Sequence, residues 1–414
     1  MGRSRSSSSS ALTTSKAVVA MSADDDAATT TLFWEWRGHD IFTEVRGARR
    51  ECTGGNYDHD DVKKRRKPLI ILLHGFGAST AYWRETMSAL RGEGYDVHAL
   101  DLLGQGRSSK PVCSGGNSPP SSTPTTPPGG IVMGKSMNAT VEYSINLWAS
   151  MVDDYARYHK MGDVVLMGNS LGSLVALSAA TGEFINDSTT TTTMDDDGVI
   201  LHAYLARNNN SAGERRSRVK GLCLINCAVG LNSRNVVKNP NLNRLQRAAF
   251  DRLFDVINFL LFDNRILLQY ALDNVLTREL LGDVLRSLYT CSPDRVNGEL
   301  VDSFYYPAKL GGEGAVEAIR QFYTNDAGLT PMEYHRKYLD KLNSLPLHLI
   351  WGLEDSITPI NGDVGLFYCD RVANNRGGNG RTTIDIVKSG HMPFDDNPIE
   401  THEAMLRWLE KKVL

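Results

Sequence analysis

The chain predicts an α/β architecture: an open, mostly parallel, doubly wound sheet with a helical block inserted late in the sequence. Three observations carry that prediction. Short, almost wholly apolar runs recur, each stopping at a glycine or a polar turn residue, as strands buried on both faces do. Helix-like stretches separate most of these runs, so strand and helix alternate along the chain. One long interval between two of the runs instead places apolar residues three and four apart, the period of a helix face.

Taken in order, "LFWEWRGHDIFTEVRG" alternates apolar and polar residues on both sides of a Gly-containing turn and predicts a hairpin. The buried-strand pattern then appears in "PLIILLHGFG", "YDVHALDLLGQG", "GDVVLMGNSLG", "VKGLCLINCAVG", "LPLHLIWGLED" and "TTIDIVKSGH". Between the fourth and fifth of these, Leu242, Leu245, Ala249, Leu253, Val256, Ile257, Leu260 and Leu261 form one apolar stripe, so a helical cap is expected over residues 232–342. The period favours packing of that stripe onto the core. The breadth of "LFDVINFLLF" also suits peripheral contact of the cap with a membrane surface, or with a lipid-like substrate.

The expected organisation is a transit-peptide-like segment over 1–31, a first core portion over 32–231, the cap over 232–342, and a second core portion over 343–414. Insertions near 114–130 ("SGGNSPPSSTPTTPPGG") and 186–218 ("NDSTTTTTMDDDG", "RNNNSAGERRSR") are too polar or too rich in Pro and Gly to pack, and disorder is expected there.

The formal net charge of −3 gives no reason to expect nucleic acid. The one basic run, "KKRRK", is mostly balanced by the acids of "DHDD" before it and reads as a solvated loop. Six cysteines are scattered without a CxxC pair, which favours a reducing compartment, and Cys223 and Cys227 read as buried thiols. With no HExxH and no Cys/His array, neither metal nor cofactor is expected. The first 23 residues hold Arg3, Arg5 and Lys16, many hydroxyls and no acid, which is transit-peptide-like, and no apolar run reaches the length needed to span a bilayer.

Chemistry concentrates around "GNSLG". A serine on a tight turn between a buried strand and a helix projects its hydroxyl at the carboxyl end of the sheet, where open α/β sheets place their ligands. Gly168 and Gly172 keep that turn free of side chains, and the stretch matches the G-x-S-x-G nucleophile elbow, with Ser170 as nucleophile. The base expected is His391, which follows the last strand in "VKSGHMPF". His74 reads as structural, and His159, His335 and His402 as ordinary residues. The acid expected is Asp355 in "WGLEDSITP", with Glu354 in reserve. Asp395 and Asp396 follow His391 too closely to orient it and are expected to fix its loop. In "HGFG", Gly75 and Gly77 let the loop turn its amides inward, so the Phe76 and Leu171 amides are the expected oxyanion donors.

Together "LLHGFGAST", "LDLLGQGRSSKP", "GNSLGSLVALS", "WGLEDSITP" and "SGHMPFDDNP" resemble the α/β-hydrolase fold superfamily from about Leu32 to the C-terminus. More narrowly, "FWEWRGHDI" with "LLHGFGAS" and "ALDLLGQGRSSKP" is similar to the plant and algal plastid hydrolases related to pheophytinase and chlorophyll dephytylase. Phe394 stands where that branch commonly has a histidine. The resemblance implies the chain order serine, acid, histidine, with Ser170, Asp355 and His391 as the triad, hydrolysis of a long isoprenoid ester, and, with the N-terminal composition, a chloroplast location. The expected activity is therefore a serine esterase acting on a lipophilic small-molecule ester. Haloalkane dehalogenases and epoxide hydrolases resemble this architecture but carry an aspartate on the elbow. Carbon–carbon hydrolases and acyltransferases share the triad and stay open as alternatives. A non-catalytic lipid-binding scaffold is the reading from another class.

Overall fold

A computed structural model describes residues 29–47, 67–112, 141–186, 205, 218–232, 244–257, 262–374 and 380–414. The predicted hairpin forms from β1 (Thr29–Trp36) and β2 (His39–Arg46), antiparallel and in register from Thr29 opposite Arg46 to Trp36 opposite His39. Arg37 and Gly38, the two turn residues, both have positive φ (51° and 77°), the primed-turn geometry whose twist matches that of paired strands. β1 begins three residues before the expected border at Leu32, because its threonines continue the ladder onto β2.

Six further strands follow at the predicted apolar runs: β3 (Leu69–Leu73), β4 (Val97–Leu100), β5 (Val164–Asn169), β6 (Val219–Ile225), β7 (Leu347–Gly352) and β8 (Thr382–Val387). They join the hairpin in one eight-stranded sheet of order β1-β2-β4-β3-β5-β6-β7-β8. Pairing is antiparallel from β1 through β2 to β4 and parallel from β4 onward. The doubly wound α/β prediction therefore holds.

The apolar runs lack a polar face because both sides of the sheet are covered. Alternate residues of β3 enter opposite cores: Ile71 and Leu73 pack with α2 (Ile145–Tyr158) and α3 (Leu171–Thr181), whereas Ile70 and Leu72 pack on the other side. That second side is built from α1 (Arg84–Gly92) and the C-terminal helix, which contributes Met405 and Trp408. Burying each such side chain contributes about 1.5–3 kcal/mol.

Between β6 and β7 every regular element among the described residues is helical: α4 (Arg244–Ile257), α5 (Arg265–Tyr270), α6 (Arg278–Ser287), α7 (Gly298–Leu310), α8 (Gly312–Thr324), α9 (Pro331–Lys337) and α10 (Leu339–Ser344). After β7 come α11 (Asp363–Ala373), α12 (Pro393–Asp396) and α13 (Pro398–Trp408). Asn264, Thr277, Asn297 and Thr330 cap α5, α6, α7 and α9, each accepting the third helical amide.

Two expectations are corrected. The α4 stripe does not pack onto the core where it is described: Leu245, Leu253 and Val256 are 82%, 51% and 53% exposed. Helical period fixes which residues share a face, not which surface covers it. The second insertion is also not loose throughout, since Leu205 is fully buried and its amide donates to Asp153 Oδ1 at 2.7 Å. Leu205 belongs to the apolar stretch "VILHAYLA" that divides the two polar runs. Apart from its end residues Asn186 and Arg218, the remainder of that insertion lies outside the described residues, as do the one near 114–130, most of the basic run and the N-terminal 28 residues. Among the described residues no helix is long and apolar enough to cross a membrane.

Candidate active site

β5 ends at Asn169 and α3 begins at Leu171, leaving Ser170 as the whole connection. To turn the chain in one residue, Ser170 adopts φ 53° and ψ −118°, a strained conformation for a residue with a side chain. Neighbouring elements hold it there. Its N–H donates to the Ile225 carbonyl at 2.9 Å, its carbonyl accepts from the Ser173 amide at 3.0 Å, and Ser173 Oγ donates to the Gly168 carbonyl at 2.7 Å. Both flanking glycines are required by close approach: a Cβ on Gly168 would run into the Gly172 carbonyl, and one on Gly172 into the Leu73 carbonyl. The Ser170 side chain is half-buried, at the carboxyl end of the central strands.

β7 delivers the carboxylate and the loop after β8 delivers the imidazole. Asp355 is buried, and His391 Nδ1 lies 3.0 Å from its Oδ1 and 2.9 Å from its Oδ2. Asp355 Oδ1 also accepts from the Ile357 and Thr358 amides (2.8 and 3.1 Å), and Oδ2 accepts from Thr358 Oγ1 at 2.6 Å. Burial by itself would raise this carboxyl's pKa, but the hydrogen bonds and charge of His391, with those of Thr358, outweigh it and hold Asp355 below the usual carboxylate range. An ionised Asp355 can only accept, so His391 Nδ1 keeps its proton and donates it as a hydrogen bond, leaving Nε2 as the nitrogen able to accept a proton. Glu354, the reserve acid, is exposed.

The "HGFG" loop lies against the elbow: a methyl placed on Gly75 would sit 3.2 Å from Ser170 Cβ. The Gly75 amide donates to Tyr82 Oη (2.8 Å), and Gly77, at φ 72°, donates to Gln105 Oε1 (2.7 Å). Among the described residues the Phe76 and Leu171 amides between and beside them donate to no acceptor. Leu171 N–H also stands at the positive end of the α3 dipole. The half-buried Phe76 ring stacks on Phe322 of α8 (centroids 3.7 Å apart), Phe322 meets Tyr323 edge-on, and Tyr323 stacks on Phe262 (3.9 Å). An aromatic wall thus runs from the loop beside Ser170 into the helices that precede β7.

Two asparagines that sequence reading missed hold these pieces together. Asn226, at φ 44° directly after β6, donates to the Gly390 and His391 carbonyls (3.1 and 2.9 Å) and accepts the Gly352 amide (2.8 Å). Asn169 donates to the His391 carbonyl at 3.2 Å, which brings the His391 backbone beside the residue preceding Ser170. The only sequence signal for Asn226 is an amide ending the run "VKGLCLIN".

His74 is fully buried. Its Nε2 accepts the Leu102 amide (2.9 Å), so its Nδ1 donates to the Gly75 carbonyl (2.7 Å), and burial first of all lowers its pKa. It shapes the loop. Asp395 and Asp396 hold the His391 loop in place, while Cys223 and Cys227 are buried free thiols. Among the described residues no group of three or more His, Cys, Asp or Glu could hold a metal ion.

An eight-stranded α/β sheet with a serine elbow at its carboxyl edge defines a class, and sequence comparison places the chain in it. Residues 70–404 match the alpha/beta hydrolase family, and the chain belongs to that family, whose members are hydrolases. Epoxide hydrolase B of Mycobacterium tuberculosis is 49% identical over 51 residues, which are 12% of this chain and 14% of that protein, so the likeness spans a short part of the relative. Among solved structures, a putative acyltransferase from Salmonella enterica superposes with a TM-score of 0.56 at 14% identity, over 96% of this chain and all of the other. A haloalkane dehalogenase DatA variant from Agrobacterium tumefaciens gives 0.54 at 14% identity, over 93% and 98%. Bromoperoxidase from Bacillus anthracis gives 0.52 at 14% identity, over 96% and 100%. At such identities these are likenesses of fold.

Proposed function

We propose that the chain is a serine hydrolase cleaving a carboxylic ester of a lipophilic substrate, with Ser170 as nucleophile, His391 as proton carrier and Asp355 as the carboxylate that orients it. The observation that carries this reading is a strained serine elbow whose preceding residue, Asn169, bonds the backbone of His391, a buried imidazole whose Nδ1 is committed to a carboxylate. His391 Nε2 takes the hydroxyl proton as Ser170 Oγ attacks the ester carbonyl, and the Phe76 and Leu171 amides receive the oxyanion. The proton then passes to the departing alcohol, leaving an acyl-enzyme. Water, deprotonated by the same nitrogen, releases the acid and restores Ser170. An elbow serine favours acyl transfer over epoxide opening or dehalogenation, which begin from an elbow aspartate on this architecture.

The aromatic wall beside Ser170 supports a lipophilic substrate. Burying a tail of about a dozen carbons gains roughly 10 kcal/mol at about 0.8 kcal/mol per methylene, before ordering costs. A phytyl-type ester and a chloroplast location are the finer form of the proposal, supported by the motif resemblance. The exposed apolar residues of α4 support peripheral membrane contact through the cap as the route to such a substrate.

Turnover of short acyl esters and of a phytyl ester by the full chain tests the proposal. Ester hydrolysis is expected, with a larger kcat/KM for the longer tail, and Ser170→Ala should lower turnover about a millionfold. Absence of ester hydrolysis, or activity retained in Ser170→Ala, would overturn it. Short esters cleaved with the phytyl ester untouched would remove the finer form alone.

A further inference from the structure

The turn that follows α6 is bonded, residue by residue, to the loop that carries His391. The Leu288 carbonyl accepts the His391 amide at 3.0 Å. Tyr289 Oη donates to Asp395 Oδ2 at 2.6 Å. The amides of Thr290, Cys291 and Ser292 donate to the Asp396 carboxylate at 3.1, 3.0 and 2.7 Å, and the same carboxylate takes the Gly390 amide at 2.8 Å. The two backbones touch directly, since a Cβ on Gly390 would run into the Leu288 carbonyl.

Asp396 is fully buried, and among the described residues no Lys, Arg or His lies within ion-pair distance of it. Its acceptor capacity is taken up by main-chain amides of two segments about a hundred residues apart. A buried carboxylate is costly unless its lone pairs are satisfied this way, and here the bonds link the helical region before β7 to the base. His391 is therefore gripped from both sides, its carbonyl by Asn169 at the end of β5 and Asn226 just after β6, and its amide by Leu288 of the post-α6 turn.

We propose that Asp396, with Asp395 beside it, is a positioning residue: it docks residues 288–292 onto the loop of His391 and through the Leu288 carbonyl fixes where the imidazole stands. The helices before β7 then complete the base as well as cover the substrate. The proposal rests on the reading of His391 as the general base.

Asp396→Asn is the test. Oδ2 serves Gly390 and Thr290, and Oδ1 serves Cys291 and Ser292, so in either orientation the amide NH2 faces two N–H donors and the turn must shift. Displacing a catalytic group by about 1 Å costs on the order of 100-fold. The expected result is a 10- to 100-fold fall in kcat, equal for short and long esters, with KM within about twofold. The downfield Nδ1–H proton resonance of His391 should also move or broaden. If Asp396→Asn does not fold, Tyr289→Phe removes one bond of the clasp and should show the same pattern more weakly. Unchanged kcat with an unmoved resonance, or a rise in KM for long esters alone, would overturn the proposal, the latter marking the turn as a pocket wall. A wild-type chain that turns over no ester would remove the functional reading, and the resonance comparison would still decide whether Asp396 positions His391.

Discussion

Replacing Asp355 by asparagine keeps the shape but exchanges one carboxylate oxygen, with the negative charge, for an NH2 group, and the surroundings dictate where that NH2 goes. Oδ1 accepts two backbone amides, Ile357 and Thr358, which can only donate. Oδ2 accepts the Thr358 hydroxyl, which can rotate and accept instead. The asparagine NH2 therefore settles at the Oδ2 position and donates to His391 Nδ1, 2.9 Å away. That bond places the ring proton on Nε2, so the imidazole can no longer take the Ser170 proton. In serine triads this tautomer error costs on the order of 10⁴ in turnover, about 5.5 kcal/mol of transition-state stabilisation. The assay is kcat/KM on a short acyl ester for Asp355→Asn and, in parallel, Glu354→Gln. Because the Glu354 side chain is exposed, its amide variant should stay within about twofold of wild type. Equal losses in the two variants, or the larger loss in Glu354→Gln, would refute the assignment of the acid and the tautomer reasoning with it.

Two further outcomes follow from packing and titration. Gly172→Ala drives a methyl into the Leu73 and His74 carbonyls and should destabilise by about 3 kcal/mol or more; an unchanged urea midpoint would contradict the close approach. Burial, with Arg371 adding to it, pushes His335 down to about 3, and burial likewise pushes His402 to about 4. Unfolding lets both titrate near 6.5, so below that pH the unfolded chain binds protons that the folded chain does not. Stability should therefore fall as pH drops from about 6.5 toward 4, by about 1.4 kcal/mol per pH unit for the enclosed His335, with His402 adding to it. A urea midpoint that is flat or rising over that descent would contradict the burial of these rings in a neutral state.

The parts of the fold legible in the sequence are those encoded locally. Each parallel strand announced itself as an apolar run ending in a turn, and Ser170 as the residue between two glycines at the end of one such run. The choice between Glu354 and Asp355 was not local. Both follow β7, and only the packing of the turn, with Thr358 and His391 facing one of them, separates them. Asn226 and Asp396 act through amides and carbonyls distant in sequence, among them 352, 390 and 391 for the first and 290–292 for the second, and no short pattern encodes such partners. The α4 stripe was readable as a face, but whether that face meets the core depends on how the helix is placed, which periodicity does not contain.

The central claim is that Ser170 is an activated nucleophile, and reaction with a fluorophosphonate followed by peptide mass spectrometry tests it most directly. The account predicts a single phosphonyl adduct on the peptide bearing Ser170, absent in Ser170→Ala and slowed by orders of magnitude in His391→Ala. A folded wild-type chain that takes up no label, or a Ser170→Ala chain labelled as fast as wild type, would contradict it.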